Sequence, residues 1–264
     1  MGVRELPASG SGALGRAVRF VVLLLVAAFF IQSVVAVEFS PVAFASGIPD
    51  LANLVSRMFP PSVEYLPRAA AAALQTVQMA LVGTVVGALL SVPLAFAAAR
   101  NVSPHVLLYR GARSFVGFVR SIPDLIWGLL FVSAVGLGPF PGTVALTLGS
   151  IGMLGKLYAE AIEEIEPGQV EALRSTGAHP LQTLALGVVP QVVPAFVALT
   201  LYRWDINIRD SIVLGLVGAG GIGFELQTSM RLFQYPEVLT MIIVILLIVL
   251  LVENLSQRVR RRVI

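Results

Sequence analysis

From Ala69 to Ala99 the chain carries no charged side chain, and Arg68 and Arg100 bound the run on either side. At 1.5 Å per residue such a run makes a helix of roughly 46 Å, longer than a bilayer core of about 30 Å. In hydrocarbon every backbone N–H and C=O must be satisfied within the protein, which leaves helices or closed barrels as spanning structures. A long, unbroken apolar run selects the helix. The rest of the composition agrees: 57% of residues are hydrophobic and 12% are charged, against about 25% charged in soluble domains. The expected fold class is therefore an all-α integral membrane protein. With no cysteine, disulfides, thiolate metal sites and a cysteine nucleophile are excluded.

Apolar stretches of spanning length place six candidate spans. They run from about Val18 to Val37, within Ala69 to Ala99, from Ser114 to Val135, from Thr143 to Ala159, from Leu184 to Leu216 and from Tyr235 to Val252. The segment Gly136 to Gly142 (GLGPFPG) breaks the third from the fourth. Arginines fall in alternate connections: Arg4, Arg16 and Arg19 before the first span, and Arg100, Arg110 and Arg113 after the second. Arg174 follows the fourth, and Arg258, Arg260, Arg261 and Arg262 follow the sixth. The positive-inside rule places all of these in the cytoplasm, with both termini inside. Residues 38 to 68 then face outside. Residues 1–68 read as a cytoplasmic tail, first span and external segment, and residues 69–264 as the membrane core. Ala43-Phe44-Ala45 resembles a signal-peptide cleavage site, but it lies well beyond an apolar run that is long for a signal sequence. The net charge of +3 reads as topology and membrane anchoring. No basic patch interleaved with aromatics points to nucleic acid.

Between the fourth and fifth spans lies a polar stretch with helical punctuation. Pro167 suits a first helical turn, and Glu171 sits where the helix dipole favours a carboxylate. Gly177 fits the left-handed position that ends a helix, and Pro180 prevents simple continuation. Pro190 and Pro194 lie at the entry to the next span, where a kink would angle it. The physical reading leaves two options: an ordinary amphipathic loop helix, or a helix–turn–helix gripped by a cytoplasmic partner. Glu160, Glu163, Glu164 and Glu166 precede it, either as a solvated face or as a contact for a basic partner surface.

Charges reappear inside the fifth span. Arg203, Asp205, Asn207, Arg209 and Asp210 follow 28 uncharged residues. Arg203, Asn207 and Asp210 fall on one helical face, while Asp205 and Arg209 are spaced as an i, i+4 ion pair. One reading ends the span near Tyr202 and leaves these residues solvated outside. The other makes them a polar lining for an anion, because charges at membrane depth face a bundle interior or a wet path, and arginine and asparagine donors suit an oxyanion. Arg120, Ser121 and Asp124 in the third span are open in the same way. They are either a pathway lining beside Pro123 or a structural Arg120–Asp124 i, i+4 pair.

Two motifs mislead. Gly218, Gly220, Gly221 and Gly223 satisfy a G-x-G-x-x-G pattern, but the surroundings are membrane helix without the strand and acidic residue of a dinucleotide site. Their expected role is close helix packing or a bend. Gly155-Lys156 lacks the earlier glycine and the following Ser or Thr of a phosphate loop. No ATP site is therefore expected in this chain. His105 and His179 are isolated, so no metal site is expected either. No nucleophile, base and orienter converge, and the chain does not read as an enzyme.

Two resemblances complete the reading. Glu171-Ala172-Leu173, three residues, Gly177, nine residues and then Gly187-Val188-Val189-Pro190 resembles the EAA loop of ABC importer permeases. Gly187 departs from it, standing where that family has a larger aliphatic residue, and a weakened packing contact is expected there. The stretch YRWDINIRDSIVLGLVGAGGIGFEL from Tyr202 and RSIPDLIWGLLF from Arg120 are similar to the phosphonate-type branch of that family, over roughly residues 70–260. The resemblance implies a six-helix bundle of the methionine-importer-like type. It implies a coupling loop at about 160–190 in which Glu171, Ala172, Leu173 and Gly177 meet an ATPase. It places Asn207 and Arg209 along or near a pathway. It also implies a bacterial inner-membrane permease that works as a pair, with itself or with a similar permease. Its partners would be two ATPase subunits that bind ATP and Mg, and an external binding protein. Substrates would be phosphonate, phosphite or phosphate. An importer for another solute such as methionine is the alternative within the class. A stand-alone channel or secondary transporter is the alternative outside it, and it leaves the loop without a role.

Overall fold

The computed structural model describes the backbone of residues 11–263 and side-chain surroundings within 15–260. Arg4 and the side chains of Arg261 and Arg262, used above for orientation, lie outside the described residues. The described residues are mostly helical and fall into two compact units that divide between Ser56 and Arg57.

The first unit holds α1 (Ser11–Ala36) and most of α2 (Pro41–Met58). α1 exposes apolar side chains such as Leu23, Phe29 and Val35 all along its length, as a helix facing lipid tails does. α2 occupies the segment expected to be an external connection. It is helical despite Pro49 in its interior.

In the second unit follow α3 (Leu66–Ala98), α4 (Val106–Ser121), α5 (Asp124–Val135), α6 (Pro139–Glu163), α7 (Pro167–Ser175) and α8 (Pro180–Thr183). A π-helical turn, Leu184–Val188, leads into α9 (Val189–Gly215), and α10 (Gly221–Arg231) and α11 (Tyr235–Val263) complete the chain. α3 and α6 form the centre, and α6 also packs against α4, α5 and α9.

Small residues make this possible. Gly83 of α3 sits so close to α6 that a Cβ there would lie 2.8 Å from the Leu146 Cβ. Such close approach is how helices associate where no hydrophobic drive operates between them. On α6, Gly149 and Gly152 receive the break between α4 and α5. A Cβ at Gly152 would lie 3.0 Å from the Arg120 amide nitrogen, and one at Gly149 would collide with the Asp124 carboxylate.

The third expected span is not one straight helix. α4 and α5 meet at 82°. Pro123 causes the break, because the residue before a proline is pushed out of the helical region. Ile122 is extended, at φ −98° and ψ 118°. Four stretches are long and apolar enough to cross a membrane, or five if the bent pair counts as one: Gly15–Met58, Leu66–Ala98, Pro180–Gly215 and Tyr235–Arg260, with the α4–α5 pair the fifth. α6, the fourth expected span, is not among them. Its glycine-rich face is buried against its neighbours, so it needs less apolar surface toward lipid.

The region that resembles a nucleotide loop joins α9 to α10. Gly218, Gly220 and Gly221 have φ of +96°, +78° and +69°, which only glycine adopts readily. Gly223 lets α10 pack on α9, since a Cβ there would run into the Ile212 carbonyl oxygen. The freed amides of α10 are taken by α3: Gln75 Oε1 accepts from Gly221 at 2.8 Å, and Thr76 Oγ1 accepts from Ile222 at 2.9 Å. At the start of α3, Tyr65 donates to Glu225 at 2.7 Å and Arg68 pairs with it at 3.0 Å. Burial first, and then the Glu225 carboxylate, raise the Tyr65 phenol above its ordinary pKa.

Candidate functional site

Two polar regions stand out. One is an exposed element between α6 and α9, and the other is a polar cluster buried where α3, α5, α6 and α9 meet.

The exposed element begins at Pro167, the first residue of α7. α7 has no buried residue: Glu171 and Ala172 are exposed and Leu173 is half-buried. Gly177 has φ +77°, and the Ala178 amide closes back on the Leu173 carbonyl at 3.3 Å, as in a Schellman-type stop. His179 caps α8. Its Nδ1 accepts from Leu181, and its own amide donates to Gln182 Oε1 at 3.0 Å, a reciprocal capping arrangement.

Gly187 corrects the expectation of a weakened contact. It is buried in the π-helical turn, and a Cβ there would lie 2.9 Å from Leu173 Cδ1 and 3.6 Å from the Val170 Cα. A side chain there would press first on the end of Leu173, and the glycine lets α7 sit close on the turn. Gln191, which the sequence reading missed, fastens the two together. Its Nε2 donates to the Gly187 carbonyl at 2.5 Å, and its Oε1 accepts from the Glu166 amide at 3.0 Å. Its spacing after Pro190 gives no signal for this bridge. A cleft of about 820 Å³ lies beside the element, lined by Asn101, Glu163, Val170, Glu171, Arg174 and Leu181 among others.

The buried cluster centres on Arg203. α9 continues unbroken through residues 203–210, so these residues do not lie in a solvated loop after the span. The Arg203 side chain is 6% exposed. It donates to Asp124 Oδ2 at 2.6 Å and to Ser150 Oγ at 3.1 Å, and it lies 3.9 Å from Asp210. Asn207 is fully buried and donates to Thr84 at 2.7 Å and to Ser150 at 2.9 Å, while its Oδ1 has no hydrogen-bond partner among the described residues. Asp124 therefore pairs with Arg203, not with Arg120. The break at Ile122–Pro123 destroys the i, i+4 geometry that an Arg120–Asp124 pair requires.

The structure brings Arg203, Asn207, Asp210 and Asp124 together, and it separates Arg209. That arginine is half exposed and pairs with Asp205 at 2.6 Å on another face of α9. Arg120 and Ser121 are exposed at the end of α4. A cavity of about 250 Å³ beside the break touches Arg120, Asp124 and Arg203. Among the described residues no group of three or more His, Cys, Asp or Glu is placed to hold a metal ion.

Comparison with known proteins agrees with this architecture. The chain is 47% identical over 231 residues to the phosphate-import permease protein of Mycolicibacterium smegmatis, covering 88% of this chain and 43% of that one. It thus spans less than half the length of that relative. It is 44% identical over 216 residues to a phosphite transport system permease protein of Stutzerimonas stutzeri, covering 82% of this chain and 78% of that one. Among solved structures, an inward-facing methionine ABC transporter matches with a TM-score of 0.68 and 23% identity, over 77% of this chain and 99% of that one. At that identity the likeness speaks for the fold. Residues 91–264 match the family model for the inner membrane component of binding-protein-dependent transport systems. With that match and the relatives above, the chain belongs to this family of multi-pass ABC transporter permeases.

Proposed function

We propose that this chain is the membrane subunit of an ABC importer that carries a phosphorus oxyanion: phosphonate, phosphite or phosphate. The observation that carries the reading is the 44–47% identity to relatives named for phosphate and phosphite, over more than four fifths of this chain. A methionine importer shares the fold, but at 23% identity. The cationic face of α4 also suits an anion better than a zwitterion, whereas the arginines of α9 are already paired with aspartates.

In this reading ATP and Mg are bound by two partner ATPases, and the chain performs no catalysis itself. It pairs with a second copy or with a similar permease, and an external binding protein delivers the substrate. It lies in a bacterial inner membrane with both termini in the cytoplasm, as the arginine distribution suggests. Residues 69–264 act as the permease core. The exposed element is the coupling site, with Glu171, Ala172, Leu173 and Gly177 meeting the ATPase. Side chains left exposed in their own chain, as Glu171 and Ala172 are, are free to bury against a partner. ATP binding draws the ATPases together, moves the coupling helices and opens the paired bundles outward. Arg203, Asn207, Arg209, Asp210, Arg120, Ser121 and Asp124 border the route. Binding along it is weak, because tight binding would prevent release.

The test is ATP hydrolysis by the copurified complex in lipid, with the binding protein loaded in turn with phosphate, phosphite or an alkylphosphonate. Stimulation by one of them is expected. No associated ATPase would overturn the reading in favour of a passive or ion-driven transporter. Gly177→Val places a branched side chain at a positive φ. It should abolish substrate-stimulated hydrolysis while leaving membrane insertion intact.

A further inference from the structure

A second cavity, of about 440 Å³, lies between α4 and the C-terminal half of α6. Its polar side chains are Arg113, Arg120, Ser121 and Lys156, and the rest of its wall is Ala98, Val116, Gly117, Gly155 and Ala159. Three cations and a hydroxyl therefore line it, and among the described residues no carboxylate does. The cleft beside α7, by contrast, is lined by both signs.

The surrounding acids leave net positive charge here. Arg113 is neutralised by Glu163 at 2.7 Å. Lys156 has only a half-exposed i, i+4 partner, Glu160, at 3.4 Å, and such surface pairs hold their charges loosely. Arg120 has no hydrogen-bond or ion-pair partner among the described residues, since the Asp124 carboxylate has gone to Arg203. The backbone fixes it in place: its Cα and amide lie against Gly152, where a Cβ would meet them at 3.0–3.1 Å. Arg120 also borders the smaller cavity at the helix break, which reaches Arg203. The two cavities thus share Arg120 in their walls.

We propose that Arg120, Ser121 and Lys156 form an anion site for a phosphate-type group, with Arg113 as a supporting charge. A guanidinium fork and an ammonium beside an apolar-walled cavity match a tetrahedral oxyanion, and the Ser121 hydroxyl, which donates to the Phe118 carbonyl at 2.7 Å, joins them as a donor only by turning from that carbonyl. The occupant is either the free transported oxyanion, staged before release, or a lipid phosphate drawn into the groove. The first case rests on the proposed transport function. The second does not.

Lys156 is the single lysine of the sequence, so amine acylation read by mass spectrometry at that position reports on the site directly. The purified complex is labelled in nanodiscs of phosphatidylcholine or phosphatidylglycerol, with inorganic phosphate or with chloride at matched ionic strength. Substrate-stimulated hydrolysis is measured on the same sample. A ligand at about twice its dissociation constant leaves about one third of sites free, so labelling should slow about threefold. The Arg120→Gln variant, altered at an exposed residue, should lose this protection.

Protection by phosphate in phosphatidylcholine identifies the free oxyanion as occupant. Protection by phosphatidylglycerol without any effect of phosphate identifies a lipid phosphate. Equal labelling in all four conditions, or protection that persists in Arg120→Gln, overturns the site. If hydrolysis remains stimulated while labelling is unprotected, only this site fails. If protection is seen without stimulation, the transport reading fails instead.

Discussion

The buried cluster around Arg203 and the exposed element around Glu171 are both polar interruptions of an apolar sequence, yet they differ in what their polar groups do. In the cluster, Arg203 is held by Asp124 and Ser150, and Asn207 by Thr84 and Ser150. Four helices are cross-linked by side chains that would be costly to leave unpaired. In the exposed element, Glu171 and Ala172 are exposed and no residue of α7 is fully buried, although Val170 packs partly against the core. The backbone there is nevertheless well determined, by Gly177, by the His179–Gln182 caps and by the Gln191 bridge. A well-held scaffold presenting unengaged side chains is what a docking surface requires. A polar cluster whose donors are engaged across four helices is what a bundle requires to keep its helices in register.

Substitutions can break or sharpen this contrast. The largest effect is expected from Arg203→Leu, which strands the Asp124 carboxylate. Losing one partner of a buried pair costs about 3–5 kcal/mol, to be read as thermal unfolding in detergent. The double variant with Asp124→Leu should recover much of the loss, and no recovery would mean the pair is not the cause.

Gly187→Leu should come next. It forces Val170 and Leu173 away from the π-helical turn, an overpacking cost of about 1–3 kcal/mol. Its larger signature should be a fall in ATPase activity of the complex, since α7 is displaced. Unchanged hydrolysis would detach α7 from coupling.

Gln191→Leu removes the bridge between Glu166 and Gly187 at a cost of about 1 kcal/mol in net hydrogen-bond stability. Hydrogen exchange at the start of α7 should rise while the Arg203 region stays protected.

Smallest in stability is Glu171→Gln, which should stay within about 0.5 kcal/mol because the side chain is exposed. It should still weaken copurification of the ATPase. Equal loss of stability and association would erase the contrast.

The exposed element was legible because its signals are local. Pro167, Gly177 and Pro180 act through their own backbone angles, and the structure places them at a helix start, a left-handed stop and the next helix start. Its internal fastening was not legible. Gly187 read as a deficit along the chain, and only the approach of Leu173 and Val170 turns it into a fit. The cluster was half legible. Helical spacing put Arg203, Asn207 and Asp210 on one face, and the Asp205–Arg209 pair forms as that spacing requires. The same logic failed at Arg120 and Asp124, because it assumed a helix through Pro123.

Sequence alone determined that the chain is a helical membrane protein, where most of its apolar helices lie and which stretch interrupts them. These are sums over neighbouring residues, and transfer free energy and backbone preference act residue by residue. Tertiary structure alone decided that Asp124 meets Arg203 across 79 residues of chain, that the third expected span is an 82° elbow seated on the glycines of α6, and that Arg120 is left without a counter-charge among the described residues. Those outcomes depend on how closely helices approach and at what angle. The fit of facing surfaces sets both, and no stretch of sequence carries that fit by itself.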